Sequence, residues 1–188
     1  MGQGLRQADE RWSSILLGDG PGRIGRSGCL LVVLTQAARH MGTRPDLLPP
    51  HLNEQARQAH AFKGDRLVVP DAARLVGLVT DPATWTNAAH TPEEHRQAIT
   101  GSLGGGAAAG CCILHVDHDE TKPGGDLEGD HFVLGVELSG PPARVICADP
   151  ATGRMEWIGW DDLQGAVLWG KATKRYRVRG VRPLRVAS

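Results

Sequence analysis

The sequence has no surplus of either charge: 21 Lys plus Arg stand against 21 Asp plus Glu in 188 residues. Proteins that bind nucleic acid need a basic excess to displace phosphate counterions, so no nucleic-acid partner is expected. No run approaches the roughly 18 apolar residues that span a bilayer, so no membrane insertion is expected. The opening Met1-Gly2-Gln3-Gly4-Leu5-Arg6-Gln7 lacks the apolar core of a signal peptide. The expected location is therefore cytoplasmic as synthesised, with any export by a route other than Sec. Cysteine is scarce, at positions 29, 111, 112 and 147. Disulfide frameworks belong to small secreted chains, so all four read as free thiols. No internal repeat and no linker divides the chain, and residues 1–188 are expected to form one domain.

Apolar residues make up 40% and charged residues 22%, enough for a packed core. The 25 glycines and 12 prolines predict many turns and argue against a helical bundle. Leu30, Val33, Leu34, Ala37 and Met41 share one helical stripe, which Leu31, Val32 and Ala38 widen. That pattern predicts a buried helix between the turn residues Gly25, Ser27 and Gly28 and the stop signal Gly42. A more polar helix is expected over His51–Ala61, an extended run at Leu67–Val69 and a helical turn or two over Pro70–Leu78. Thr91, Pro92 and Glu94 form a helix start with a capping box. The stretch Gly101–Gly110 reads as a flexible loop. Beyond it, Cys111–Val116, Phe132–Leu138, Ala143–Ala148 and Arg154–Ile158 are short apolar runs split by turns. Val167–Trp169 and Tyr176–Arg179 extend the series. The fold class is α+β, helical in its first half and an antiparallel sheet in its second.

Three residues at element ends carry chemistry. Cys29 opens the buried helix, where unpaired N–H groups and the helix dipole stabilise a thiolate. Taken alone it reads more readily as a small buried hydrophobe. His131 opens the strand His131-Phe132-Val133-Leu134, held where its ring can take a proton from a thiol and return it to a leaving amine. It is one of eight histidines and could equally end a loop. Asp149, before Pro150, could orient the imidazole and stabilise its charged form. Asp-Pro is also an ordinary turn opening.

The stretch Gln7-Ala8-Asp9-Glu10-Arg11-Trp12, followed by Leu17-Gly18, Ile24 and Gly28-Cys29, resembles the opening of the C39-like cysteine peptidases. These are similar to the bacteriocin-processing peptidase domains of ABC transporters and have a papain-like fold. The resemblance continues with His131-Phe132-Val133, Ala148-Asp149-Pro150-Ala151-Thr152-Gly153 and Trp160-Asp161-Asp162-Leu163. The family places a short helix at this last position. The match spans residues 5–60 and 110–170 and reaches the middle, 61–109, only by implication. It implies Cys29 as nucleophile, His131 as general base and acid, and Asp149 as the orienting carboxylate. Gln7 matches the glutamine whose amide, with the Cys29 N–H, forms the oxyanion hole. An uncharged donor suits that task because it bonds the oxyanion without protonating the nucleophile. Trp12 and Asp9 match positions that hold the N-terminal segment against the helix. Two departures are visible. The chain carries no transporter, and Gly28-Cys29-Leu30 replaces the transporter peptidases' Asp-Cys-Gly, which is closer to the stand-alone group.

Other constellations read more plainly. Cys111, Cys112, His115 and His118 offer zinc-ligand chemistry, but adjacent cysteines on a strand point to opposite faces. The segment Asp117–Asp130 is acidic without the spacing of a calcium loop, and reads as a solvated loop beside the cleft. Gly104-Gly105-Gly106 reads as loop, not as a double-glycine cleavage site. Seven basic residues follow from Lys171, and Arg175, Arg177 and Arg179 read as the wet face of an edge strand. The expected function is a cysteine peptidase acting on a peptide, protein or peptide-like amide, needing no cofactor and no metal. A secretion or phage apparatus is a conceivable partner for export. The alternatives are a catalytically silent binding module, or an acyl transferase or peptidoglycan amide hydrolase on the same triad.

Overall fold

A computed structural model describes residues 4–104, 110–118, 130–141 and 143–187. The first half is helical: α1 (Ile24–Ser27), α2 (Cys29–His40), α3 (Pro49–Gln58), α4 (Val69–Leu75) and α5 (Pro92–Leu103), with the small hairpin β1 (Phe62–Lys63) and β2 (Arg66–Leu67) between α3 and α4. Helix α2 is buried on nearly all sides from Leu31 through Ala38. Of its two interior polar side chains, Thr35 Oγ1 donates to the Leu31 carbonyl, and Gln36 Nε2 reaches the Leu5 carbonyl at 3.0 Å while its Oε1 is buried without a partner. Asn53 on α3 does similar work, accepting from the Gly18 N–H and donating to the Leu16 carbonyl, both at 3.0 Å. The loop before α1 is thereby pinned to the helical layer with both ends of the Asn53 amide paired.

The remaining strands are β3 (Leu78–Val79), β4 (Cys111–Asp117), β5 (Asp130–Ser139), β6 (Arg144–Asp149), β7 (Arg154–Gly159), β8 (Gln164–Trp169) and β9 (Ala172–Val186). They form one antiparallel sheet in the order β3-β9-β4-β5-β6-β7, and β8 pairs with the first half of β9. Alternation along β4 divides the core between the two faces of the sheet. Cys111 and Ile113 join the cluster built around α2, while Cys112, Leu114 and Val116 join a second cluster with Ile99 of α5. The adjacent cysteines therefore serve opposite cores, and all four thiols are free. The sheet also curls until β8 lies against β7. Gly165 permits this, because a Cβ there would collide with the Trp157 carbonyl oxygen on β7.

Several elements differ from the sequence expectation. Val69 opens α4 instead of ending a strand, and Leu78 belongs to β3. The second helix starts at Pro49, since proline is well suited to a first helical turn. Thr91 and Glu94 do form a capping box, with the Thr91 N–H donating to Glu94 Oε2 at 2.6 Å. Its helix runs on through Gly101 to Leu103, because packing of Ile99 and Ser102 outweighs the weak propensity of one glycine. Residues 105–109 and 119–129, covering the rest of the glycine-rich stretch and most of the acidic segment, lie outside the described residues. Arg175, Arg177 and Arg179 lie on β9, which pairs with β8 through its first half and with β4 beyond it, so the strand is not a free edge, although Arg175 and Arg177 are exposed as a wet face requires. Trp160–Leu163 is a turn, not the short helix that the resemblance implies.

Gly165→Ala is expected to lower stability by about 1–3 kcal/mol, since the obstructing atom is backbone and cannot swing aside. A drop in the urea midpoint with an unchanged slope is the expected signature.

Candidate active site

The nucleophile candidate is placed by a break between two helices. A Cβ at Gly28 would stand 2.5 Å from the Ile24 carbonyl oxygen and 2.8 Å from its Cα. Only glycine lets α1 end and α2 restart immediately at Cys29. The first intrahelical bond of α2 runs from the Val32 N–H to the Gly28 carbonyl at 3.0 Å. The N–H of Cys29 is thus among the donors that the helix does not use, and its thiol is half-buried at the positive end of the dipole.

The sheet supplies the other two groups. His131 stands at the start of β5 and Asp149 at the end of its neighbour β6. His131 Nε2 and Asp149 Oδ1 are 2.8 Å apart, and both side chains are buried. The carboxylate is held by further donors. The Ala151 N–H reaches Oδ1 at 2.7 Å, and the Tyr176 hydroxyl donates to Oδ2 at 2.7 Å. The Trp169 indole N–H in turn donates to the Tyr176 oxygen at 2.6 Å. With Nε2 engaged, Nδ1 is the ring nitrogen left for Cys29, whose thiol lies close enough to favour the charged form of His131.

Electrostatics follow from this packing. Burial alone pushes His131 toward its neutral form, but hydrogen bonds to Asp149 and Cys29 and their charges outweigh it, raising the imidazole to about 9. Burial pushes the Asp149 carboxyl up, yet the His131 bond and charge, with the Tyr176 and Ala151 donors, hold it below the ordinary carboxylate value. Burial also keeps Cys111 protonated, up to about 12, and drives Cys112 and Cys147 well above the usual thiol range. These three are packing residues, which leaves Cys29 as the one half-exposed thiol.

Gln7 ties the two layers together. Its backbone N–H donates to the Pro150 carbonyl at 2.8 Å, and its side-chain Nε2 donates to the Gly25 carbonyl at 3.3 Å. The segment therefore bridges the turn after Asp149 and helix α1 just before Cys29. One amide N–H is used at Gly25, while Oε1 is buried without a partner. Trp12 is buried, with its indole N–H on the Arg6 carbonyl at 2.8 Å. Asp9 pairs with Arg11 at the surface and does not reach the helix.

The structure thus brings Cys29, His131 and Asp149 together, with Gln7 bridging their supports. Tyr176 and Trp169 belong to the same cluster, although the sequence suggested only strands there. A signal existed: Tyr176 is the single tyrosine, alternating with arginines, so it faces inward and its hydroxyl needs a partner. Trp169 stands edge-on to the His131 ring at 5.3 Å, and His118 lies 5.0 Å from Trp169. His118 is pushed toward its neutral form by burial and then by the charges of His131 and Lys174. His115 stacks on Phe132 instead of joining the cysteines. Among the described residues, no three His, Cys, Asp or Glu side chains converge as metal ligands. No family model matches the chain, and no curated protein matches it.

A raised histidine stabilises the fold while its proton is retained. Its contribution is complete below the unfolded value of 6.5 and is lost as pH rises through about 9. Urea unfolding is expected to show greater stability at the lower end of that window, and the difference should shrink in His131→Gln.

Proposed function

We propose that the protein is a cysteine peptidase of papain-like fold, similar to the C39-like group. The observation that carries this reading is the buried His131–Asp149 bond at 2.8 Å, with the opposite ring nitrogen left to a half-exposed thiol at a helix N-terminus. A helix bearing the thiol packed against a curled antiparallel sheet bearing the histidine supports the fold assignment.

The chemistry follows from the roles. The Cys29 thiolate attacks the carbonyl carbon of a peptide or peptide-like amide, and the π electrons move onto oxygen. The Cys29 N–H and the Gln7 amide stabilise that oxyanion. The His131 imidazolium gives its proton to the departing nitrogen as the C–N bond breaks, leaving a thioester. Neutral His131 then takes a proton from water, whose oxygen attacks the thioester, and collapse releases the acid and restores the Cys29–His131 pair. Asp149 stays ionised throughout and holds the ring in the tautomer with Nδ1 toward sulfur.

The test is site-resolved alkylation of Cys29 by iodoacetamide from pH 4 to 10, together with cleavage of a fluorogenic peptide library. Alkylation is expected to stay fast below pH 7, where an ordinary thiol is protonated, and to lose that reactivity in His131→Ala. Turnover should vanish in Cys29→Ala and fall about 10²–10⁴-fold in His131→Ala. A Cys29 no more reactive than a free thiol in both proteins rejects the peptidase and leaves a binding scaffold. A product that incorporates an added primary amine assigns acyl transfer in place of hydrolysis.

A further inference from the structure

The directions of the hydrogen bonds around Asp149 are fully determined, and they begin outside the three reacting groups. An indole N–H can only donate, so the Trp169 bond occupies a lone pair of the Tyr176 oxygen. The single hydroxyl proton of Tyr176 must then point at Asp149 Oδ2. Oδ1 receives the Ala151 N–H and faces His131 Nε2. A carboxylate supplied with donors on both oxygens is an acceptor only, so Nε2 must carry a proton, and Nδ1 is left as the base. Deletion of the Tyr176 hydroxyl would leave a buried carboxylate oxygen without its donor. Protonation of Asp149 then becomes easier, and a protonated Asp149 could donate to Nε2, reversing the tautomer and turning a hydrogen on Nδ1 toward the thiol.

We infer that Tyr176, with its hydroxyl aimed by Trp169, is a positioning residue that keeps Asp149 ionised and thereby holds the His131 proton on Nε2. This inference rests on the peptidase reading for its significance. Its geometry stands on three bonds of 2.6–2.8 Å among buried or half-buried groups. Tyr176 is well suited to the task because burial, and then the Asp149 charge, drive its hydroxyl far above its ordinary ionisation range, so it remains a donor. The other ionisable groups around Asp149 are Cys147 beside it on β6 and Glu156 on β7. Burial favours the neutral forms of both. His118, near His131, is likewise held toward its neutral form, with Lys174 close by.

The test compares the pH profile of Cys29 alkylation by iodoacetamide in the full-length wild type, Tyr176→Phe and Trp169→Phe. Phenylalanine at 169 keeps an aromatic ring against His131 and deletes only the N–H. Tyr176→Phe is expected to move the acid limb upward by about one pH unit. Reactivity near pH 5 would then fall about tenfold while that near pH 8 changes less than about twofold. Trp169→Phe should shift the limb in the same direction by less. A purely structural role predicts a uniform loss at all pH values, and either that or a superimposable profile overturns the inference. If Tyr176→Phe fails to fold, the Trp169→Phe profile decides by the same criterion. A wild type without acid-side reactivity rejects the peptidase reading itself, which distinguishes the two failures.

Discussion

The buried bond between His131 and Asp149 constrains everything around it. Two ionisable groups cannot be taken out of water cheaply, so each must find partners in the protein. Asp149 draws them from three separate elements: the imidazole of β5, the hydroxyl of Tyr176 on β9 and the N–H of the turn after β6. The antiparallel order that puts β6 beside β5 and curls β9 toward them is what makes those donors converge. The pair is as much a demand on the fold as a feature of the site.

The same demand explains why the two cores meet here. Cluster residues of α2 and of α5 lie on opposite faces of one sheet, and β4 feeds alternate side chains to each. Tyr176 belongs to the α5-side cluster, whereas Cys29 belongs to the helix that fills the other. His131 is the group through which these halves communicate. Gln7 adds a further tie, since its backbone and side chain grip the turn after Asp149 and helix α1 before Cys29.

Much of this was legible in the sequence where a local rule governs. The apolar stripe from Leu30 to Met41, the glycine before Cys29 and the Thr91–Glu94 box each specify their structure through nearest neighbours. Cys29, His131 and Asp149 were marked by their places at element ends. The rest depends on contacts distant in sequence. Nothing local says that β9 pairs with both β4 and β8, so Arg175, Arg177 and Arg179 looked like an edge. Nothing local lets α5 continue through Gly101, because its reason is packing. Tyr176 and Trp169 were read as strand residues, since Tyr176 finds its acceptor Asp149 27 residues away and Trp169 joins the cluster only through Tyr176.

Strand β9 also fixes an order of events during synthesis. The hairpins β5–β6 and β6–β7 connect neighbours in the chain through short loops and β4–β5 pairs the strand before them, whereas β9 follows all of them and must close against β4, far back in sequence. Until β9 leaves the ribosome, β4 has an open edge and Asp149 lacks the donor from Tyr176. A nascent chain therefore holds the carboxylate only partly while α2 already has β5 to pack against. Of these strands, the last to emerge is the one that completes the cluster.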